Sequence, residues 1–394
     1  MSSNLIETFG QTAASVLDGI ADLFVGKASS LRDGTEHAGV SLPRDLYAHD
    51  ASQTEWWYYT GHLRTTSGRR FGFELVFFQR RTDLDRFGVV PLRLIGNPLY
   101  LAHFAVTDES RVEFRYAHRK SANNLLDPPA RADARRFYLK LGDWTVREAH
   151  GLHLLHATLG DDLVFEAALK PSKPAVLNGH EGVGVSFKDH GEASRYFSYT
   201  RMKAEGHITW HGETERFEGA AWMDREFGTW KTTDGQRGWD WFSLQFDDGA
   251  ELMVYHIRDR QDRPSPFSSG SFVNAEGQRT HLTREDFRLE VLSRWRSPHT
   301  GALYPSGWRL AVPRFGIEVT ITPVIKDQEL DTRGTTMIVY WEGACAVEGR
   351  HGGGVVAGRA YVELVGYDRS HEQPSLVTFL FGGALDRRWR SIFG

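Results

Sequence analysis

Apolar and polar positions alternate with a period of two along much of the chain. From Arg70 to Phe78 the sequence reads RFGFELVFF, so Phe71, Phe73, Leu75 and Phe77 share one face, because successive strand side chains point to opposite sides. The same reading predicts strands at Tyr100 to Asp108, Trp144 to Arg147, His153 to Thr158, Leu163 to Leu169, Tyr196 to Tyr199 and Glu205 to Trp210. The hairpin with the clearest signal joins Trp239–Phe246 to Glu251–Arg258 through Asp247-Asp248-Gly249, an Asp-Gly pair between alternating runs. A second pairs Thr336–Glu342 with Ala360–Gly366 across Gly352-Gly353-Gly354. Residues 26–46 and Lys170 to Lys188 read as loops, and 229–237 as a linker between two β-rich blocks. Asp127 to Arg136 is a weak helix candidate. Many short strands with regular turns indicate an all-β sandwich or barrel.

The N-terminal segment breaks this pattern. Leu5, Phe9, Val16, Ile20 and Phe24 recur at near-helical spacing, which predicts a short amphipathic helix lying on the domain. A membrane-surface helix would carry a basic polar face. An export signal would show basic residues before an unbroken apolar run, whereas Glu7, Asp18 and Asp22 interrupt this one. The expected compartment is therefore the cytoplasm, with the periplasm or a membrane-peripheral location as the alternative.

Composition sharpens the class. The 394 residues suit two domains, and 24 Phe, 13 Tyr, 12 Trp and 40 Gly favour strands joined by tight turns. The net charge of −4 gives no reason to expect nucleic acid. No run is long and apolar enough for a membrane span. The single cysteine, Cys345, excludes an internal disulfide and reads as buried and inert. His150, His153 and His156 resemble a metal cluster, but His153 and His156 fall on opposite strand faces. HExxH, paired CxxC and a G-x-S-x-G elbow in a strand–turn–helix setting are missing, so no metal or organic cofactor is expected. The triple glycine has no Lys-Ser/Thr partner to cradle phosphate, and Arg387-Arg388-Trp389-Arg390 reads as a docking edge.

Three segments carry a family resemblance. They are Asp50 to Leu63 (DASQTEWWYYTGHL), Ala221 to Gly228 (AWMDREFG) followed by Gly238 to Leu244 (GWDWFSL), and Tyr340 to Ala344 (YWEGA) with Gly358 to Tyr367 (GRAYVELVGY). In order and spacing they resemble the carotenoid 1,2-hydratase/AttH-like family from about residue 46 to about 370. The resemblance implies two lipocalin-like (calycin) antiparallel β-barrels in tandem. The expected organisation is a helix and leader at 1–45, a first barrel at 46–228 and a second at 238–394. It also implies a hydrophobic small-molecule ligand or substrate. Some members hydrate a carotenoid alkene, relatives hydrate or cyclise polyketide and isoprenoid products, and many bacterial members have no demonstrated reaction.

Candidate chemistry rests on polar groups sharing a face with apolar ones, because burying a polar group is unfavourable unless it is paired. Tyr340 and Glu342 share a strand face, and so do Tyr361 and Glu363. If these faces coincide and point inward, two carboxyls and two phenols enter one barrel. Asp240 lies with Phe242, Leu244 and Phe246, and His256 and Arg258 lie with Leu252 and Val254. Asp224 and Glu226 flank Arg225, where an ion pair is the plainer reading; Glu55 is expected to close the barrel floor, and His103 to be a satisfied core histidine. The leading expectation is a cofactor-free hydratase. Asp224, Asp240, Glu342 or Glu363 would be a buried, protonated acid, and His256 or a second carboxylate would orient water as general base. Trp57, Tyr59, Trp239, Trp241, Arg258, Tyr340 and Tyr361 would line the ligand site, with the aromatic faces of Trp239, Trp241 and Tyr340 stabilising a cation. Core packing is the competing reading of the tryptophans. A binding protein without chemistry, a transport accessory and a positioning cyclase or isomerase are the other readings.

Overall fold

The structure is a computed structural model and describes residues 14–18, 20–22, 39–83, 85–87, 89–179, 182–189, 192–229 and 236–369. It is nearly all β, in two large antiparallel sheets with two short two-stranded ones beside them. Nine strands form the centre of the molecule and are labelled β1 (Thr54–Thr65), β2 (Arg70–Arg80), β3 (Leu99–Asp108), β4 (Glu192–Trp210), β5 (Glu213–Gly228), β6 (Gln236–Phe246), β7 (Glu251–Asp259), β8 (Val339–His351) and β9 (Gly354–Val365). The first sheet runs Glu113–Ser121, β3, β2, β1, β5, β4, Leu163–Pro171, Leu152–Leu159, Trp144–Ala149, Tyr138–Leu141, Ala130–Ala132, and curls into a nearly closed barrel. The second runs Arg279–Leu282, Ser269–Val273, β7, β6, β9, β8, Ile317–Pro323, Trp308–Val312, Arg288–Val291, and forms a half-barrel.

Both anticipated hairpins are present, with Gly249 at φ +88° in the first turn and Gly352 and Gly353 at φ +57° and +87° in the second. Tyr196–Tyr199 and Glu205–Trp210 belong to one long strand, β4, with an irregular register against β5 between Tyr199 and Met202. The helix anticipated at Asp127–Arg136 does not form. Pro128 and Pro129 interrupt it, and Ala130–Ala132 pairs with Leu139–Leu141 instead. The Lys170–Lys188 segment contains two short strands, Val176–Leu177 and Val185–Asp189, both paired with β4. Residues 14–18 and 20–22 are helical, and Asp18 and Asp22 ion-pair with Arg86 and Arg93 of the first barrel. The acids that interrupt the apolar pattern thus dock this helix on the domain. Leu5, Phe9 and Phe24, most of the linker and Arg387–Arg390 lie outside the described residues. Among the described residues no helix is long and apolar enough to cross a membrane.

Burial patterns show how the barrels meet. Leu152–Leu159 alternates regularly between buried and partly exposed positions, as expected when one face packs on a core and the other meets water. The central stretches of β2, β3, β5, β6, β7 and β8 are buried on both faces. One face fills a barrel: Phe71, Phe73, Leu75 and Phe77 in the first, and Phe242, Leu244, Trp341 and Val362 in the second. The other face packs barrel on barrel, β2 against β8, β1 against β9 and β4 against β6. Small residues permit this approach: a Cβ on Gly72 would lie 2.7 Å from the Ala344 Cβ. Buried polar links fasten the contact. Glu251 accepts from Arg201 Nε at 2.5 Å and Lys173 Nζ at 2.9 Å, and the Gln245 amide donates to the Thr200 and Ala221 carbonyls at 2.7 and 3.0 Å.

Both barrel interiors are filled with side chains. In the first, Phe73 and Phe165 lie 4.8 Å apart between ring centroids, with Phe104 and Phe217 each 5.6 Å from Phe165. At one end Arg225, fully buried, pairs with the equally buried Glu55 at 2.5 Å and lies 3.9 Å from the Trp57 ring. Removing one partner of such a pair leaves the other charge uncompensated in low dielectric. Glu55→Gln is expected to destabilise the first barrel by roughly 3–5 kcal/mol in urea unfolding; a change within experimental error would show that the pair does not hold this end closed.

Candidate functional site

Alternation on β8 and β9 delivers the anticipated face, but to a different place. Glu342 and Glu363 are directly opposed in register, as are Ala344 and Tyr361, so Tyr340, Glu342, Tyr361 and Glu363 do share one face. That face does not enter the second barrel, whose interior takes Trp341, Cys345, Val362 and Leu364. It turns outward and meets the outer face of the first barrel, which contributes Tyr58, Glu74, Val76, His103, Tyr196, Trp222, Asp224 and Glu226. Most of the polar groups at this contact are buried.

Two carboxyls sit deepest, Glu342 at 0% and Glu74 at 1% exposure. The Tyr58 hydroxyl donates to Glu342 Oε1 at 2.6 Å, and the Tyr340 hydroxyl donates to Glu74 Oε1 at 3.1 Å. In each carboxyl the second oxygen, Oε2, is buried without a hydrogen-bond partner. Burial, reinforced by the Glu74 and Glu363 charges, pushes Glu342 well above the usual carboxylate range. Burial also raises Glu74 to about 8, against the Tyr340 hydrogen bond and with Glu363 adding to the rise. Glu363 is half-buried, takes a 2.9 Å hydrogen bond from Trp239 Nε1, and is raised by desolvation to about 7. His103 is satisfied as anticipated, Nδ1 lying 2.8 Å from the Tyr340 hydroxyl and Nε2 3.1 Å from Thr335 Oγ1.

A second polar group continues the same face. Asp224 accepts from Ser198 Oγ at 2.5 Å, Trp222 Nε1 at 2.6 Å and the Tyr196 hydroxyl. Burial outweighs these bonds and raises it to about 6. The neighbouring Glu226 pairs with Lys188 at 2.6 Å. Trp241 donates to the Tyr196 hydroxyl at 3.1 Å and packs edge-on against Tyr58 and Trp222, with centroids 5.4 and 6.1 Å away.

Other anticipated site residues lie elsewhere. Asp240 and His256 oppose each other on β6 and β7 but face the interior of the second half-barrel. Asp240 is bound by Arg258 Nε and the Tyr367 hydroxyl, both at 3.0 Å; desolvation raises it to about 6 in spite of Arg258. His256 stacks on Phe287 at 5.2 Å, and burial with Arg284 and Arg258 holds it down at about 4. Trp57 and Tyr59 pack inside the first barrel, Trp57 donating to the Leu46 carbonyl at 2.7 Å and Tyr59 lying 2.8 Å from His153 Nδ1. The structure thus brings together Asp224, Glu342, Glu363, Trp239, Trp241, Tyr340 and Tyr361. It sets apart Asp240, His256, Arg258, Trp57 and Tyr59. A strand alternates its faces, so residues one position apart serve different sites.

Sequence reasoning missed Glu74, Tyr58 and Tyr196. The signal for Glu74 was available: it is the one acid in RFGFELVFF, on the face opposite the four aromatic and aliphatic core residues. Among the described residues no group of His, Cys, Asp and Glu could hold a metal ion. An open depression of about 550 Å³ on the far side of the first barrel is lined by Arg147, His156, Glu166, His207 and Arg216. Its charged groups are exposed or half-exposed.

Two lipocalin-like barrels in tandem, docked through a carboxyl- and phenol-rich face, define the class of protein. The chain belongs to the AttH-like family, whose model matches residues 33–367. A protein assigned as AttH from Nitrosomonas europaea is 32% identical, with a TM-score of 0.74 over 84% of this chain and 98% of its own. Kievitone hydratase from Nectria haematococca shares the fold at 16% identity, with a TM-score of 0.65 over 86% of this chain and 96% of its own. CghA in complex with Sch210972 shares it at 11% identity, with a TM-score of 0.51 over 88% and 98%. No curated protein sequence matches the chain.

The raised carboxyls make docking pH-dependent. A group whose pKa is raised on folding stabilises the fold fully below its unfolded value, and that contribution is lost as pH rises through its folded value. The buried His62, His103, His153 and His256 are lowered on folding and act in the opposite sense, but only below the ordinary histidine value of 6.5. Between about pH 6.5 and 8.5 the acids act without that opposition. The melting temperature is expected to fall across this window, and less steeply in Glu74→Gln. A flat profile in the wild type would show that these carboxyls are not protonated in the folded state.

Proposed function

We propose that this protein is a cofactor-free hydratase that protonates a carbon–carbon double bond of an apolar, isoprenoid- or polyketide-like substrate at the contact between its barrels. The observation that carries this reading is the Glu74–Glu342 pair: two fully buried carboxyls, each held by a phenol through one oxygen, each with its other oxygen unpartnered. A phenol donating to Oε1 leaves Oε2 to carry the proton, so both groups present O–H donors into the contact. Protonating an unactivated alkene needs an acid that stays neutral near pH 7 yet has no cation beside it to draw off its proton. Glu342 is assigned as that acid. Burial keeps it protonated, and negative charge on Glu363 adds to the effect.

The cation formed on carbon is tertiary and needs a surface that stabilises positive charge without attacking it. Trp239, Trp241, Tyr58 and Tyr196 supply aromatic faces, each worth roughly 0.5–2 kcal/mol towards a nearby cation. The carboxyls of Glu74, Asp224, Glu342 and Glu363 line this part of the contact, with Glu226 paired to Lys188, which favours a positive charge further. Half-buried Trp239 and Glu363 mark where the contact reaches solvent. Kievitone hydratase, a fold relative, is a hydratase by name, which accords with this reading. Carriage of a ligand inside a barrel fits less well, because aromatic side chains occupy both interiors.

The test uses geranylacetone as a trisubstituted-alkene probe, incubated in deuterated water. Wild-type protein is expected to form a tertiary alcohol with carbon-bound deuterium, with activity falling above about pH 8 as Glu74 ionises. Glu342→Gln should lose roughly 10²–10⁴-fold in rate, the usual worth of a general acid. Asp240→Asn, on the other face of β6, should retain activity. Full turnover in Glu342→Gln, or no alcohol from the wild type with this and related polyenes, would overturn the assignment.

A further inference from the structure

The acids account for the proton given to carbon but not for the oxygen that follows it. His256, the base anticipated from sequence, faces the interior of the second half-barrel. His153 is inside the first barrel with Tyr59, and His103 has both nitrogens engaged. His62 differs from all three. It lies on the outer face of β1, directly opposite Gly72 in register, which makes it a diagonal neighbour of Glu74 at about 7–8 Å between backbones.

The tautomer of His62 follows from its one hydrogen bond. Nε2 is 3.0 Å from the Ala360 carbonyl oxygen on β9. A carbonyl can only accept, so Nε2 carries the hydrogen. Burial, with Arg359 nearby, lowers the ring's pKa to about 3, so it is neutral at ordinary pH. Nδ1 is then a bare lone pair, and it is buried without a hydrogen-bond partner. The Tyr361 ring lies 5.6 Å from the imidazole, and its hydroxyl is 3.3 Å from where a Cβ on Gly72 would stand. From there β9 and β8 lead to Glu363 and Glu342. The contact therefore holds an unused acceptor, His62 Nδ1, with an unused hydroxyl on the adjacent Tyr361 and two unused carboxylic donors, Glu74 Oε2 and Glu342 Oε2, on the same buried layer. Unpaired buried polar atoms of opposite sense call for a ligand that both donates and accepts. A water molecule or an alcohol does so.

We infer that His62 Nδ1 borders a small recess in the contact, holds the attacking water there and takes its proton as the carbon–oxygen bond forms. This rests on the hydration proposed above. Glu342 gives its proton to the alkene, a C–H bond forms and the π bond is lost. The water oxygen donates a lone pair to the cationic carbon, and one of its protons passes to Nδ1. Imidazolium then returns that proton to the Glu342 carboxylate through water, so alkene and water yield alcohol with nothing else consumed. Oxygen bonded to a tertiary cation is strongly acidic, so a weak base suffices. His62 keeps some exposure, which places the recess within reach of solvent water. Gly72 keeps it open, since a methyl there would crowd both Ala344 and the Tyr361 hydroxyl.

The experiment reads the recess directly, on full-length protein labelled with ¹⁵N-histidine, using 2-methyl-2-heptanol as the product-like probe and 2-methylheptane as its counterpart without a hydroxyl. The wild type should show His62 as the Nε2–H tautomer, with Nδ1 shifting on addition of the alcohol but not of the alkane. The alcohol should bind about tenfold tighter. His62→Gln retains an amide to donate to Ala360, so it should fold and yet bring the two affinities within about twofold of each other. Gly72→Ala should act in the same direction without touching the imidazole. In geranylacetone turnover, His62→Gln should still exchange vinylic hydrogen with solvent deuterium while losing alcohol. An Nδ1–H tautomer, or equal binding of alcohol and alkane by the wild type, would overturn the inference. If the wild type prefers the alcohol through His62 but never hydrates an alkene, the recess stands and the hydration reading falls.

Discussion

The chemistry at the centre of this molecule comes from burying both faces of the same strands. A sheet that fills a barrel with one face normally gives the other to water. Here the outer faces of β1, β2, β3, β4 and β5 are covered by those of β6, β7, β8 and β9. Gly72 and Ala344 let the sheets approach, and rings of Tyr58, Trp222, Trp241 and Tyr361 fill the space between. Glu74 and Glu342, caught in that layer, have no access to bulk water. Lys188 offsets part of the layer's charge through Glu226, and most of its other carboxyls are more stable as neutral acids. Ionising every one of these groups would weaken the docking of the barrels.

The protein consequently holds two kinds of buried acid. Glu55 with Arg225, and Asp240 with Arg258, are acids matched to guanidinium groups on inner barrel faces. They close barrel ends and stay committed to their partners. Glu74 and Glu342 are matched only to phenols, each through one oxygen. A phenol satisfies a lone pair without stabilising the anion as a cation would, which leaves a proton available on the other oxygen. The hydration proposed above draws on the second kind, with the barrels as supports that position it.

Fold relatives with 16% and 11% identity keep both barrels over nearly their whole length, which fits this division. Packing tolerates exchange of one apolar side chain for another.

The fold was legible from the chain because alternation, turn glycines and aromatic content are local properties. The Trp239–Phe246/Glu251–Arg258 hairpin is fixed by its own Asp-Gly turn, and the three family segments identified the two-barrel arrangement. The sharing of a face by Tyr340, Glu342, Tyr361 and Glu363 was legible too, since period two and register settle it. The direction of that face was not. A strand with Trp341 and Cys345 on one side and Glu342 on the other does not state which side enters a barrel when both sides are buried. For the same reason Asp240, His256 and Arg258 read as part of one site with Glu342, although the pleat sends them to the opposite face. The neighbours of Glu342 are remote in the chain, Tyr58 by 284 positions: Tyr58 and Glu74 come from the first barrel, and only docking brings them near. Composition and period decided the strands and what each carries on either face. The packing of one barrel's outside on the other's decided which acids lose water and which meet a cation, and that sets their chemistry.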